Sequence, residues 1–131
     1  MIIGWDSWSL ARVLTLFLGF GYFSFWIQIY LWHKRGKFHV WQMWIPVVAL
    51  PIAGIVAILL AIFPVTWLIW LHSFISLLVI VTGSYGSLLH WKAISKRTGG
   101  IKKENLMSGP PITLPSIISS LGFIALLLVW F

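Results

Sequence analysis

Histidine has the widest chemical range of any residue type in this chain, and one of its four copies lies well inside an apolar run. In the stretch Val65 to Trp91, the residues His72, Ser76, Val79, Gly83, Gly86 and His90 follow one another in steps of 4, 3, 4, 3 and 4. That spacing predicts a helix whose side chains at these positions stack along one face, with Ser87 at its edge and Ser73 further round. The two imidazoles are 18 residues apart, five turns or about 27 Å of helix axis. An imidazole at such a position can ligate a metal or a haem iron, carry a proton, or act neutrally as a hydrogen-bonding link between helices.

His33, His39 and His90 all map to a boundary between apolar and basic sequence. If the first three apolar segments pack together, two of them could be axial ligands of a b-type haem, or three could hold a metal. The alternative is that they are hydrated contacts among neighbouring lysines. No HExxH motif sharpens the metal reading.

Other chemistry is thinly represented. Asp6 and Glu104 are the only carboxylates, and both fall outside the apolar runs. A paired-carboxylate site or an Asp-oriented histidine is therefore not expected within them. Cysteine is absent, which excludes disulfides, thiolate metal sites and cysteine-ligated clusters within the chain. The segment Lys96-Arg97-Thr98-Gly99-Gly100 lacks the order of a phosphate-binding loop. Intrinsic catalytic activity is not expected.

The residues around these groups define the class. Of 131 residues 60% are apolar and only 8% charged, with a mean hydropathy of +1.00. So few charges cannot cover a soluble domain of this size, so an all-α integral membrane protein is expected. The formal charge of +7 sits between apolar runs, which favours anionic lipid headgroups over nucleic acid. The opening Met-Ile-Ile-Gly-Trp-Asp has no basic lead-in, so the first run is expected to remain as a span.

Four spans are expected as one domain, at about 8–32, 41–63, 65–91 and 112–131, joined by basic loops 33–40 and 92–111. They form an antiparallel four-transmembrane-helix bundle. Eight of the nine Lys and Arg residues lie in the two loops, so the loops are expected in the cytoplasm and both termini outside. Lys34, Arg35, Lys37, Lys96, Arg97, Lys102 and Lys103 are the expected headgroup contacts. Arg12 reads as an anchor at the opposite face. Tryptophans form two belts, with only Trp26 near the middle. A bacterial or archaeal cytoplasmic membrane is the expected location.

Small and polar residues mark the expected packing seams. Gly21, Ser24 and Gln28 share one face of the first span, and Gln28 is expected to turn toward another helix. Ala49, Ala53, Ala57 and Ala61 recur every four residues, a ridge expected to mate with Gly83 and Gly86. Pro51 lies deep enough to kink the second helix.

A helix with two histidines on a glycine-bearing face resembles the membrane b-type cytochromes and ferric reductases, over Leu71 to Trp91 and His39. The resemblance implies haem b as a cofactor, held by His72 and/or by the His39/His90 pair. In those families a second two-histidine helix completes the site. Here no other span carries an internal histidine, so a haem at His72 would need a second chain or a five-coordinate iron. The leading expectation is an accessory or assembly subunit of a larger membrane complex, with other subunits or further copies as partners. The alternatives are a haem electron carrier and a minimal pore lined by Ser24, Gln28, His72, Ser76 and Ser87.

Overall fold

The computed structural model describes residues 4–100, 102–106 and 109–131. The chain is all-helical, with no strand among the described residues. Its helices are α1 (Leu10–Arg35), α2 (Trp44–Ile62), α3 (Thr66–Thr98) and α4 (Thr113–Trp130). Short 3-10 turns precede α2 at Trp41–Met43 and α4 at Lys103–Asn105. All four helices, with the turn before α2 counted in, are long and apolar enough to cross a membrane.

Packing follows chain order around a ring: α1 lies on α2, α2 on α3, α3 on α4, and α4 returns more lightly to α1. Trp5, Leu60, Leu68, Ile69 and Val129 cluster at one end, called here the terminal end because it gathers both ends of the chain. The opposite, basic end carries the two longer connections. Between them a core of Leu18, Tyr22, Ile29, Leu50, Ala53, Val79, Ile118 and Ala125 draws on every helix.

The helices outrun the apolar segments at the basic end. α1 continues through His33, Lys34 and Arg35, and α3 continues through Lys92, Lys96 and Arg97 to Thr98. Hydropathy measures the apolar length, whereas a helix ends where its backbone is capped. Gly99 supplies that stop in α3, in the left-handed conformation at φ 78°. The expected loop 92–111 is thus shorter than its polar composition suggests.

Two helix pairs approach closely through glycines. A Cβ added at Gly19 of α1 would lie 3.0 Å from the Gly54 carbonyl oxygen of α2, and the reverse holds at the same distance. On the other side, a Cβ at Gly83 would run into the α4 backbone at Ser119 and Pro115, and one at Gly122 would lie 2.8 Å from the Ser76 carbonyl oxygen. Gly86 also faces Pro115. Gly83 and Gly86 therefore mate with α4, not with the alanine ridge of α2. That ridge still turns inward, with Ala53, Ala57 and Ala61 buried.

Two polar side chains close gaps in α2. Arg12, expected as an outward anchor, is 9% exposed and lies against the end of that helix. Its Nε donates to the Ala61 carbonyl at 2.6 Å and one terminal nitrogen to Ile62 at 3.1 Å. The other terminal nitrogen reaches the carbonyls of Trp5 and Ser7, and Trp8 covers the guanidinium at 4.1 Å. The last carbonyls of a helix have no intrahelical partner, so a buried guanidinium fork is an effective cap. Trp26 performs the second repair. Pro51 within α2 has no N–H for the carbonyl four residues earlier, and that carbonyl, of Val47, accepts from the Trp26 indole at 2.9 Å.

Candidate functional site

The histidine stripe of α3 faces the protein. His72, Ser76, Val79 and Gly83 are buried, while Gly86 and His90 are half-buried. The opposite face, with Trp67, Trp70, Phe74, Leu77, Val81 and Leu88, is exposed. His72 is 2% exposed, lies against the Ala125 backbone of α4, and leaves Nε2 without a partner among the described residues. Its own carbonyl accepts from the Ser76 hydroxyl at 2.7 Å. One turn nearer the terminal end, Ile69 and Val129 line an open pocket of about 710 Å³, together with Trp5, Trp70 and Trp130. Trp130 is fixed there by an indole bond to the Ser73 hydroxyl at 2.8 Å and by its contact with the Trp70 ring.

A second orphaned polar group lies away from the histidine stripe. Tyr22 of α1 is 1% exposed and its hydroxyl has no partner among the described residues. The core around it is apolar. Nothing in its sequence neighbourhood distinguishes it from the other aromatic residues of α1.

The histidines of the basic end share one arrangement. The Nδ1 of His33 lies 2.6 Å from the Met43 carbonyl, that of His39 2.9 Å from Gly36, and that of His90 2.6 Å from Pro111. A carbonyl only accepts, so each Nδ1 carries a proton, and in the neutral ring Nε2 is the nitrogen with the free lone pair. This is the tautomer in which backbone carbonyls hold ligating imidazoles. The three are not assembled, however: among the described residues no group of three His, Asp or Glu side chains lies close enough to hold a metal ion. His39 is exposed on its loop, whereas His33 is half-buried in the last turn of α1 and His90 half-buried about two turns before the end of α3.

The polar residues expected to face other helices are divided. Gln28 and Ser24 are exposed on α1, and Gly21 beside them has open space around its Cβ direction. Ser24 bonds only its own helix, at the Phe20 carbonyl. The Gly21/Ser24/Gln28 seam therefore looks away from the bundle, contrary to expectation, because α1 already meets α2 through Gly19. Ser87 lies elsewhere again, in a groove of about 590 Å³ between α3 and α4 shared with Ser84, Ser116, Ser119 and Ser120. Ser24, Gln28, His72, Ser76 and Ser87 thus share no common surface. Lys34, Arg35, Lys37, Lys96, Arg97, Lys102 and Lys103 are all exposed at the basic end.

No protein-family model matches this chain, and neither a curated protein nor a solved structure shows significant similarity to it.

Proposed function

We propose that the protein is a multi-pass membrane protein that acts as an accessory or assembly subunit of a larger membrane complex. The observation that carries this reading is Gln28, an amide exposed on α1 within a helix apolar enough to cross a membrane. Facing hydrocarbon, its donors and acceptor would go unmet, and such groups turn toward protein where they can. Apart from Ser24 one turn away, the exposed residues around it on the same helix are apolar, among them Phe17, Phe20, Ile27 and Leu31. In this reading the basic end lies in the cytoplasm and both termini outside. Lysines and arginines there meet anionic headgroups, each contributing about 1 kcal/mol near the surface. The test is affinity purification from native membranes in mild detergent. A partner retained in fixed ratio by the native protein and lost from Gln28→Leu is expected; native protein that purifies as solitary single copies would overturn the reading.

A second reading, carriage of a b-type haem, is supported by the carbonyl-held Nδ1 atoms of His33, His39 and His90. Haem would supply one-electron chemistry, and these imidazoles would supply Nε2 ligands on one edge of the bundle. A Soret band in gently solubilised protein, lost in His90→Ala, is the expected signature. Colourless protein purified from haem-replete cells would remove this reading.

A further inference from the structure

The groove between α3 and α4 opens on the outside of the bundle and is lined by hydroxyls, with Ile80, Phe123 and Ile124 completing its walls. Its protons can be counted. The Ser119 hydroxyl donates to the Ile80 carbonyl at 3.1 Å, so in the Ser84–Ser119 pair at 3.1 Å the proton must come from Ser84. Ser120 donates to the Ser116 carbonyl at 2.9 Å. Ser87 and Ser116 face each other at 2.9 Å and need only one proton between them. Among the described residues one O–H donor is left over at that pair, beside hydroxyl oxygens with unused lone pairs.

Gln28 offers the complement: one carbonyl to accept that donor and two amide N–H bonds for the oxygens. The depths also correspond. α1 and α3 run in the same direction, and Gln28 precedes Trp32 by four residues as Ser87 precedes Trp91. Each is therefore about 6 Å from the boundary tryptophan. Ser24 is eight residues before Trp32 and Ser84 seven before Trp91, or about 12 and 10 Å. Two copies of one chain inserted the same way in one bilayer bring these levels into register without adjustment. Gly21 and Ser24 keep the α1 face low enough for close helix contact.

We infer that the groove receives α1 of a second copy of this chain, with Gln28 of one copy hydrogen-bonded to the Ser87/Ser116 pair of the next. The inference rests on reading the exposed polar faces as assembly surfaces, and it names the partner. Seam and groove are unlike patches on different helices, so the contact is head-to-tail and either closes into a ring or continues as an array.

The native chain has no cysteine, which permits a directional crosslinking test. Ser24→Cys and Ser120→Cys variants of the full chain, differently tagged, are co-expressed and oxidised in membranes. Both substitutions leave Gln28 and the Ser87/Ser116 pair in place. Mixed-tag dimers are expected, with none from Ser24→Cys alone and none between Ser24→Cys and Phe74→Cys, whose position faces outward nearer the terminal end. Adding Gln28→Leu should lower the mixed yield about three- to twentyfold. Absence of the Ser24–Ser120 crosslink, or equal crosslinking of Ser24→Cys with itself, overturns the inference. Native protein found as one copy per lipid nanodisc overturns it independently of any substitution. If crosslinks are missing while a foreign partner still depends on Gln28, the subunit reading stands and this one falls; a lipid in the groove gives neither.

Discussion

The indole nitrogen of Trp26 on α1 lies 2.9 Å from the carbonyl oxygen of Val47 on α2, the acceptor that Pro51 leaves without a helical partner. Outside water such a carbonyl has few substitutes, so a proline in one helix is tolerated through a donor on its neighbour. The relationship also explains why one tryptophan stands apart from the two boundary belts. Trp26→Phe should destabilise the fold by about 1–3 kcal/mol, the cost of an unsatisfied buried acceptor. Pro51→Ala returns an N–H to the helix, so Trp26→Phe in that background should cost much less. Reversible unfolding in mixed micelles, arranged as a double-mutant cycle, measures the difference; equal costs in both backgrounds would show that the indole bond is incidental.

Arg12 belongs to the same kind of repair. It serves Ala61 and Ile62 at the end of α2 and Trp5 and Ser7 in the N-terminal segment. Charge alone cannot replace this fork, so Arg12→Lys should still lose about 1.5–3 kcal/mol of stability. Thermal unfolding followed by tryptophan emission is the readout. A lysine variant as stable as the native protein would mean that the positive charge suffices.

Glycine substitutions should separate the packed faces from the open one. Gly83→Ala places a methyl group against the α4 backbone, and Gly19→Ala meets Ile58 and the Gly54 carbonyl. Each should destabilise by about 1–3 kcal/mol. At Gly21 the same change meets nothing within the protomer, and alanine should stabilise the helix by roughly 0.5–1 kcal/mol. Denaturant titration of monodisperse monomer in detergent checks all three. A destabilised Gly21→Ala monomer would contradict the outward placement of that face.

Hydrophobic run length made the helices legible, because crossing a bilayer requires a minimum number of apolar residues whatever their neighbours. The periodicity of α3 made one rotation legible as well: His72, Ser76, Val79 and Gly83 fall on a single stripe and are buried, with Gly86 and His90 half-buried. Elsewhere the same logic failed in both directions. Arg12 was expected outside and is buried, and Gln28 was expected inside and is exposed. In a water-soluble helix the apolar face marks the core, but here both faces are apolar and a lone polar residue does not say which way it turns. What decides Arg12 is the pair of orphaned carbonyls ending α2, and what decides Gln28 is the close approach of α1 to α2 at Gly19 and Gly54. Both depend on a second helix and are invisible in the run that contains the residue. The histidines of the basic end show the same limit. Their common location was readable, whereas the carbonyls that set each tautomer come from Met43, Gly36 and Pro111, residues with no distinguishing side-chain signal.

His72 invites a test separate from haem. Its buried Nε2 has no partner among the described residues, so His72→Asn should give up the α4 contact and leave a new polar group unmet. His72→Phe, by contrast, should cost under about 1.5 kcal/mol if the imidazole serves only to fill space. A His72→Phe protein that folds normally, yet loses its purification partner or its chromophore, would assign the residue a ligand role instead. Stability and composition measured on the same preparation separate the two.

The central claim is that the Gln28 face of α1 meets protein in the membrane and not lipid. A spin label at Ser24→Cys, one turn from Gln28 on that face, reports it through collision with dissolved oxygen in native membranes. Collision rates well below those of a label at Phe74→Cys are expected, rising toward them when Gln28→Leu is added. Rates at Ser24 equal to those at Phe74 with Gln28 intact would contradict the claim.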